Sequence, residues 1–242
     1  MQTYKAILCY DGTSYHGWQR QPQKKTIQGE VEKALSKMTG KEIPVIGAGR
    51  TDAGVHAQGQ TAHFKIQVSL KNEELLRGMN AHLPPDIHVS SLYKASNEFH
   101  ARKTALSKVY QYRIWNSPRI HPFVIRYVHQ WSSPLDIAAM KKAAKLFIRE
   151  ADFSPFSSNR FLHPVRRVSR SSISQKGDEI IYTVEANGFL RYMVRTMVGT
   201  LLKVGRGAIE SSAVEELFKR GKRSLASPTA PAKGLCLLKV KY

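Results

Sequence analysis

The chain has 242 residues, 42% of them hydrophobic, which suffices for one large domain or two small ones with cores of their own. No run approaches the roughly 18 apolar residues of a membrane span, and the start MQTYKAILCYDG lacks the apolar stretch of a secretory signal, so an unexported, cytoplasmic protein is expected. The 38 Lys and Arg against 18 Asp and Glu leave a formal charge of +20 and a pI near 10.1, which requires a polyanionic partner such as nucleic acid.

TYKAILCYD (3–11) alternates as a strand does, and the polar loop SYHGWQRQPQKK after it offers Tyr15, His16, Trp18, Arg20, Lys24 and Lys25 for stacking and phosphate contact. In TIQGEVEKALSKMT, Ile27, Val31, Leu35 and Met38 recur at helical spacing and Gly40 marks the stop, which predicts a packing helix. QTAHFKI (60–66) reads as a strand. Near 105–107, FHARKTALSK passes from a polar loop into the strand KVYQYRIW (108–115), and the domain boundary is placed there, giving 1–105 and 106–242. SSPLDIAAMKKAAKLFI predicts a helix near 134–149, with a Ser cap before Pro134 and Ile137, Met140, Ala144 and Phe147 as its apolar stripe. RRVSRSSIS (166–174) and DEIIYTVEA (178–186), joined by Gln-Lys-Gly, read as an antiparallel strand pair. A helix over about 188–204 follows, then one that starts at Ser212 with Glu215 as its capping box and ends near Gly221. LCLLKVKY (235–242) is a last strand. Strand and helix patterns in both halves predict an α+β fold.

Charge is uneven between the halves: residues 1–105 hold 14 basic and 9 acidic residues, whereas 106–242 hold 24 and 9. RRVSR (166–170) and FKRGKR (218–223) concentrate it, either as RNA contacts or as solvated faces. Cys9 and Cys236 are too few and too far apart to read as a disulfide framework or a zinc site.

The segment VIGAGRTDAGVHAQGQTAHF (45–64) carries the chemistry. Gly47, Gly49 and Gly54 surround Arg50, Thr51 and Asp52, so the backbone can approach a ligand closely. The segment fits neither the phosphate-cradling nor the dinucleotide template, which disfavours a nucleotide cofactor, and no His pair has metal-ligand spacing. On local composition alone, Asp52 fits an Asx-turn as well as a catalytic carboxylate. Tyr110 and Tyr112 share one strand face, which by default is core. Arg195 fits a solvent-facing helix position as well as a charge that needs a partner among Met193, Met197, Leu201 and Val204.

GRTDAGVHA resembles the signature of the TruA family of tRNA pseudouridine synthases. YDGTSYHGWQRQP with TIQGEVEKAL, FHAR (99–102), the K-x-Y-x-Y of Lys108 to Tyr112, DFSPFSS (152–158), GFLRYMVRTMVG (188–199) and APAKGL (230–235) follow in the family's order, so the resemblance covers essentially the whole chain. One departure is Arg191, where an aromatic is expected after Gly-Phe-Leu.

The resemblance implies two similar α+β halves with largely antiparallel sheets around a basic cleft, the pseudouridine synthase fold. It makes Asp52 the essential carboxylate, Tyr110 the ring that stacks on the target uracil, Arg195 a basic partner of Asp52 and Arg50 an RNA contact. Arg191, taken as one turn before Arg195 on the same helix face, is expected at phosphate. The implied activity is isomerisation of uridine to pseudouridine at positions 38, 39 and 40 of the tRNA anticodon stem-loop, by a homodimer without metal or cofactor. A non-catalytic RNA-binding protein would fit the charge equally and would tolerate Asp52→Asn. A metal-dependent nuclease would want several clustered carboxylates, and only Asp52 stands in the key loop.

Overall fold

Alternation in the first strand organises the N-terminal sheet of the computed structural model, which describes residues 1–67, 70–158, 162–221 and 227–242. Strand β1 (Gln2–Tyr10) buries Tyr4, Ala6, Leu8 and Tyr10 on one face. It pairs antiparallel with β3 (His56–Ile66) on one side and with β4 (Ile87–Ala95) on the other. The short β2 (Ile46–Gly47) pairs antiparallel with β3. The chain divides into two units, Met1–Leu106 with Cys236–Tyr242, and Ser107–Leu235. Sequence order assigns the last strand, β10 (Leu235–Lys241), to the second half, but it lies parallel to β3 with Cys236 opposite His56 and so belongs to the first unit. Neither Cys9 nor Cys236 forms a disulfide.

Helix α1 (Ile27–Thr39) begins where Thr26 Oγ1 accepts the Gly29 N–H at 3.3 Å and ends at Gly40, whose φ of 68° suits a left-handed cap. Its buried face is Ile27, Val31, Ala34 and Leu35, close to the predicted stripe. Helix α2 (Asn72–His82) and β4 have no counterpart in the sequence expectations. In α2 only Leu75 and Met79 are buried, and its start is held by the Lys71 N–H donating to Glu74 Oε2 at 2.8 Å. Met38 of α1 lies where a side chain on Gly78 of α2 would stand.

In the second unit the antiparallel order is β5 (Ser107–Trp115), β9 (Glu179–Ala186), β8 (Val165–Lys176) and β7 (Glu150–Asp152), with β6 (His129–Gln130) parallel to β5. The β8–β9 hairpin turns at Gly177, φ 56°. RRVSR lies on β8 with Arg167 and Arg170 exposed, whereas Lys222 and Arg223 of FKRGKR lie outside the described residues. Two mixed units with mostly antiparallel sheets match the expected α+β class.

Two helix starts and one cap differ from the sequence expectation. Helix α3 (Ile137–Lys145) is capped by Asp136, whose carboxylate accepts the Ala139 N–H at 2.9 Å, and not by a serine before Pro134. Helix α4 (Met193–Gly205) starts at Met193 because a turn closes first, with the Met193 N–H on Leu190 O at 3.1 Å and Tyr192 left-handed. Helix α5 (Ala213–Arg220) begins after Ser212 and stops at Gly221 as expected, but Ser212 makes no side-chain cap bond, so there is no capping box with Glu215. The Glu215 carboxylate instead receives Arg149 Nη1 at 3.0 Å, and that guanidinium lies over the Phe218 ring. Phe218 in turn meets Phe147, Phe153 and Phe156, an aromatic cluster that seats α5.

Candidate active site

The loop between β2 and β3 carries Asp52 half-buried, and the segment that follows β1 pins it on both flanks. On the N-terminal flank the Trp18 N–H donates to Thr51 O at 3.1 Å, and the Tyr10 hydroxyl lies 2.9 Å from Thr51 Oγ1. Gly17, at φ 85°, comes so near that a Cβ there would stand 2.5 Å from Thr51 O. On the C-terminal flank the Val55 N–H returns to Asp52 O at 3.1 Å, closing a tight turn through Gly54 at φ 76°. Gly12 packs against Val55 O, where a Cβ would come within 2.0 Å. His56 Nδ1 accepts the Gly12 N–H at 3.1 Å and lies 3.1 Å from Asp11 Oδ1. The loop base is tied by Ala48 N–H to Thr61 O at 2.7 Å and by Gln60 Nε2 to Gly49 O at 2.9 Å. Asp52 therefore sits in a turn whose neighbours on either side are immobilised, which is what preorganised chemistry requires.

Arg50 is exposed on the same loop and donates through Nε to Gln19 Oε1 at 3.1 Å. Two residues expected to stack on RNA do not face solvent. Tyr15 and Trp18 are 3% and 2% exposed and are taken up by contacts within their own unit. The Tyr15 hydroxyl donates to Asp86 Oδ1 at 2.5 Å, and Trp18 lies against Gly47 and the Tyr10 ring. Aromatic residues in a polar loop were buried because they brace the Asp52 turn. His16, Lys24 and Lys25 remain exposed, and Arg20 pairs with Glu32 at 3.3 Å.

In the second unit, Tyr110, Tyr112 and Ile114 of β5 share the buried face that the alternation predicts. Tyr110 meets Phe189 edge-on, with centroids 5.1 Å apart and planes at 84°. The Tyr112 hydroxyl donates to Pro231 O at 2.8 Å, and burial pushes its pKa well up, opposed by the positive charge of Arg195. Arg195, half-buried on α4, donates through Nε to Ala230 O at 2.7 Å while the Ala230 N–H returns to Arg195 O at 3.0 Å.

A sequence model of the family described as tRNA pseudouridine synthase matches residues 6–102 and 143–242. The chain belongs to the tRNA pseudouridine synthase family. The tRNA pseudouridine synthase A of Methylacidiphilum infernorum is 42% identical over 242 residues, spanning 99% of this chain and 95% of that protein. Its counterpart in Moorella thermoacetica is 42% identical over 246 residues, and that in Brevibacillus brevis 40% over 244, each spanning 100% of both chains.

The family-matched segments carry Arg50, Asp52 and Arg195, while Tyr110 lies in the stretch between them. Arg191 does not stand one turn before Arg195 on a helix face, since α4 begins only at Met193. It precedes the helix, and its guanidinium lies 4.9 Å from the centre of the Tyr192 ring. Sequence reasoning missed Tyr10, Thr51, Asp11 and His56 as the frame of the Asp52 turn. Thr51 and His56 lie inside the signature segment and could have been flagged there, whereas nothing local marks Tyr10. Among the described residues no group of three or more His, Cys, Asp or Glu could hold a metal ion, and no helix is long and apolar enough to cross a membrane.

Proposed function

We propose that this member of the tRNA pseudouridine synthase family isomerises uridine at positions 38, 39 and 40 of the tRNA anticodon stem-loop, with Asp52 as its essential carboxylate. The observation that carries the reading is the Asp52 turn, half-buried and fixed on both flanks within the signature segment of the family.

The reaction breaks the bond between C1′ and N1, turns the uracil and joins C5 to C1′, with the C5 proton released and a proton taken up at N1. Oxidation state does not change, so no redox cofactor is needed. An ionised carboxylate beside the ribose serves either as nucleophile at C1′ or as base at C2′. Arg195 is assigned the charge that favours the ionised carboxylate, since a nearby cation lowers a carboxyl pKa. Tyr110 is assigned to hold the uracil while it turns; its buried ring is already fixed edge-on by Phe189. Arg50, exposed beside Asp52, is assigned to the RNA backbone. A stem nucleotide must be flipped out of its stack, at a cost of a few kcal/mol that basic contacts offset. The protein acts in the cytoplasm as a homodimer and needs neither metal nor cofactor in this reading.

The test is tritium release from tRNA labelled at uracil C5, in buffer with EDTA, by wild type and Asp52→Asn. Release by the wild type and none by a folded variant that still binds tRNA is the expected outcome. Absence of release from a folded, tRNA-binding wild type would overturn the reading in favour of a binding protein.

A further inference from the structure

Tyr192 occupies a backbone position that its residue type does not favour. It stands immediately before α4 at φ 63° and ψ 3°, in the left-handed region where a Cβ is crowded and glycine or asparagine is at ease. Helix N-caps ordinarily take an extended backbone and a Ser, Thr, Asp or Asn whose oxygen accepts an amide of the first turn. Tyr192 has neither the conformation nor a side-chain cap bond. Strain held against local preference needs a compensating contact elsewhere in the residue, and here that contact is made by the ring.

Two guanidinium groups lie on that ring. Arg195 Cζ is 5.0 Å from its centroid and Arg191 Cζ is 4.9 Å away. Arg191 Nη2 also donates to the Tyr192 hydroxyl at 3.2 Å. The Arg191 carbonyl in turn accepts Ser157 Oγ at 3.2 Å and the Ser158 N–H at 3.4 Å, which anchors the turn from which the ring projects. Arg195 has a second tether, from its Nε to Ala230 O at 2.7 Å. The hydrogen bond at Nε fixes one edge of the planar guanidinium, and contact with an aromatic ring restrains its tilt, so both contribute to aiming the terminal N–H donors.

We propose that Tyr192 is a positioning residue, holding the Arg195 guanidinium in the orientation in which it serves the isomerisation. The left-handed start of α4 exists to bring the ring beside Arg195, one turn further along. Tyr192 acts through Arg195 and does not itself touch the reacting nucleotide. The inference rests on the reading of Arg195 as a participant in the reaction.

The experiment uses the full chain, a tRNA transcript labelled at uracil C5 and steady-state kinetics, with folding checked by circular dichroism. Tyr192→Gly and Tyr192→Asn both suit the left-handed backbone and lack the ring, so at least one can be read if the other fails to fold. Each is expected to lower kcat about 10-fold to 100-fold and to leave KM within about 2-fold. Tyr192→Phe keeps the ring and is expected to keep kcat within about 2-fold of wild type. Arg195→Ala is expected to lose at least as much kcat as Tyr192→Gly, and the double variant no more than Arg195→Ala alone. Wild-type kcat in a folded Tyr192→Gly or Tyr192→Asn, with Arg195→Ala inactive, would overturn this inference and leave the reading of Arg195 intact. Wild-type kcat in Arg195→Ala would overturn both. A rise in KM at unchanged kcat, a Phe variant as impaired as Gly, or multiplicative losses in the double variant would each show that Tyr192 works by another route.

Discussion

The hydroxyl of Tyr10 meets Oγ1 of Thr51 at 2.9 Å with both residues buried, so the last residue of the first strand is bonded to the immediate neighbour of Asp52. Burial drives the Tyr10 pKa far above its ordinary 10, with bonds to Thr51 and Gln60 opposing only in part, so the group is a neutral phenol at any working pH. Tyr10→Phe keeps the ring and deletes this bond, leaving a buried threonine hydroxyl less well satisfied. The expected cost is about 1–2 kcal/mol of stability, measured by urea unfolding, together with a fall in kcat at unchanged tRNA affinity.

Gly12 gives the same turn a second constraint. A methyl there would stand 2.0 Å from Val55 O, a backbone atom that cannot retreat without moving the Asp52 turn. Gly12→Ala should lose more than about 2 kcal/mol and most of the activity. Gly40→Ala is the control: its φ of 68° strains an alanine, yet nothing lies within 4 Å of the new methyl. It should cost about 1 kcal/mol and leave kcat unchanged.

Tyr110 tests the stacking assignment. Stacking uses the ring face and not the hydroxyl, so Tyr110→Leu should lower kcat/KM by about 10-fold to 100-fold, the equivalent of about 1–3 kcal/mol, while Tyr110→Phe loses less. Equal losses in both variants would assign the function to the hydroxyl instead.

Acid should weaken both units, through buried His63 in the first and half-buried His129 in the second. His63 is held below its ordinary 6.5 by burial, then by the charges of His100 and Lys65, and its Nδ1 accepts the Ala101 N–H at 3.1 Å. His129 is lowered by burial and by Lys233. A histidine with a depressed folded pKa binds fewer protons folded than unfolded between that pKa and 6.5, so stability rises with pH across that window and is complete above it. Melting temperature should therefore fall as pH drops from about 8 to about 5, and His63→Gln should flatten the dependence. A curve as steep in His63→Gln and in a matching His129 variant as in wild type would assign the acid sensitivity to other groups.

Local periodicity was enough to place β1, β5, β8 and β9, the face of α1 and its stop at Gly40, because these depend on residues two to four positions apart. Its limit is seen in α2, where only Leu75 and Met79 are buried and the polar remainder masks the helix. The helix starts were misplaced for a similar reason: Asp136 outcompetes the preceding serines as a cap, and the turn at Leu190–Met193 delays α4.

By itself the sequence determined the α+β class, the basic character and, through the signature around Asp52, the family and the residue on which the chemistry is proposed to turn. Only the tertiary structure decided that Tyr15 and Trp18 are buried struts of the Asp52 turn, that β10 returns to β3, and that Tyr10, Gly12 and His56 hold that turn. Each of those facts depends on contacts between residues distant in the chain. A hydropathy pattern records which side chains avoid water, and folding alone selects the partners against which they do so.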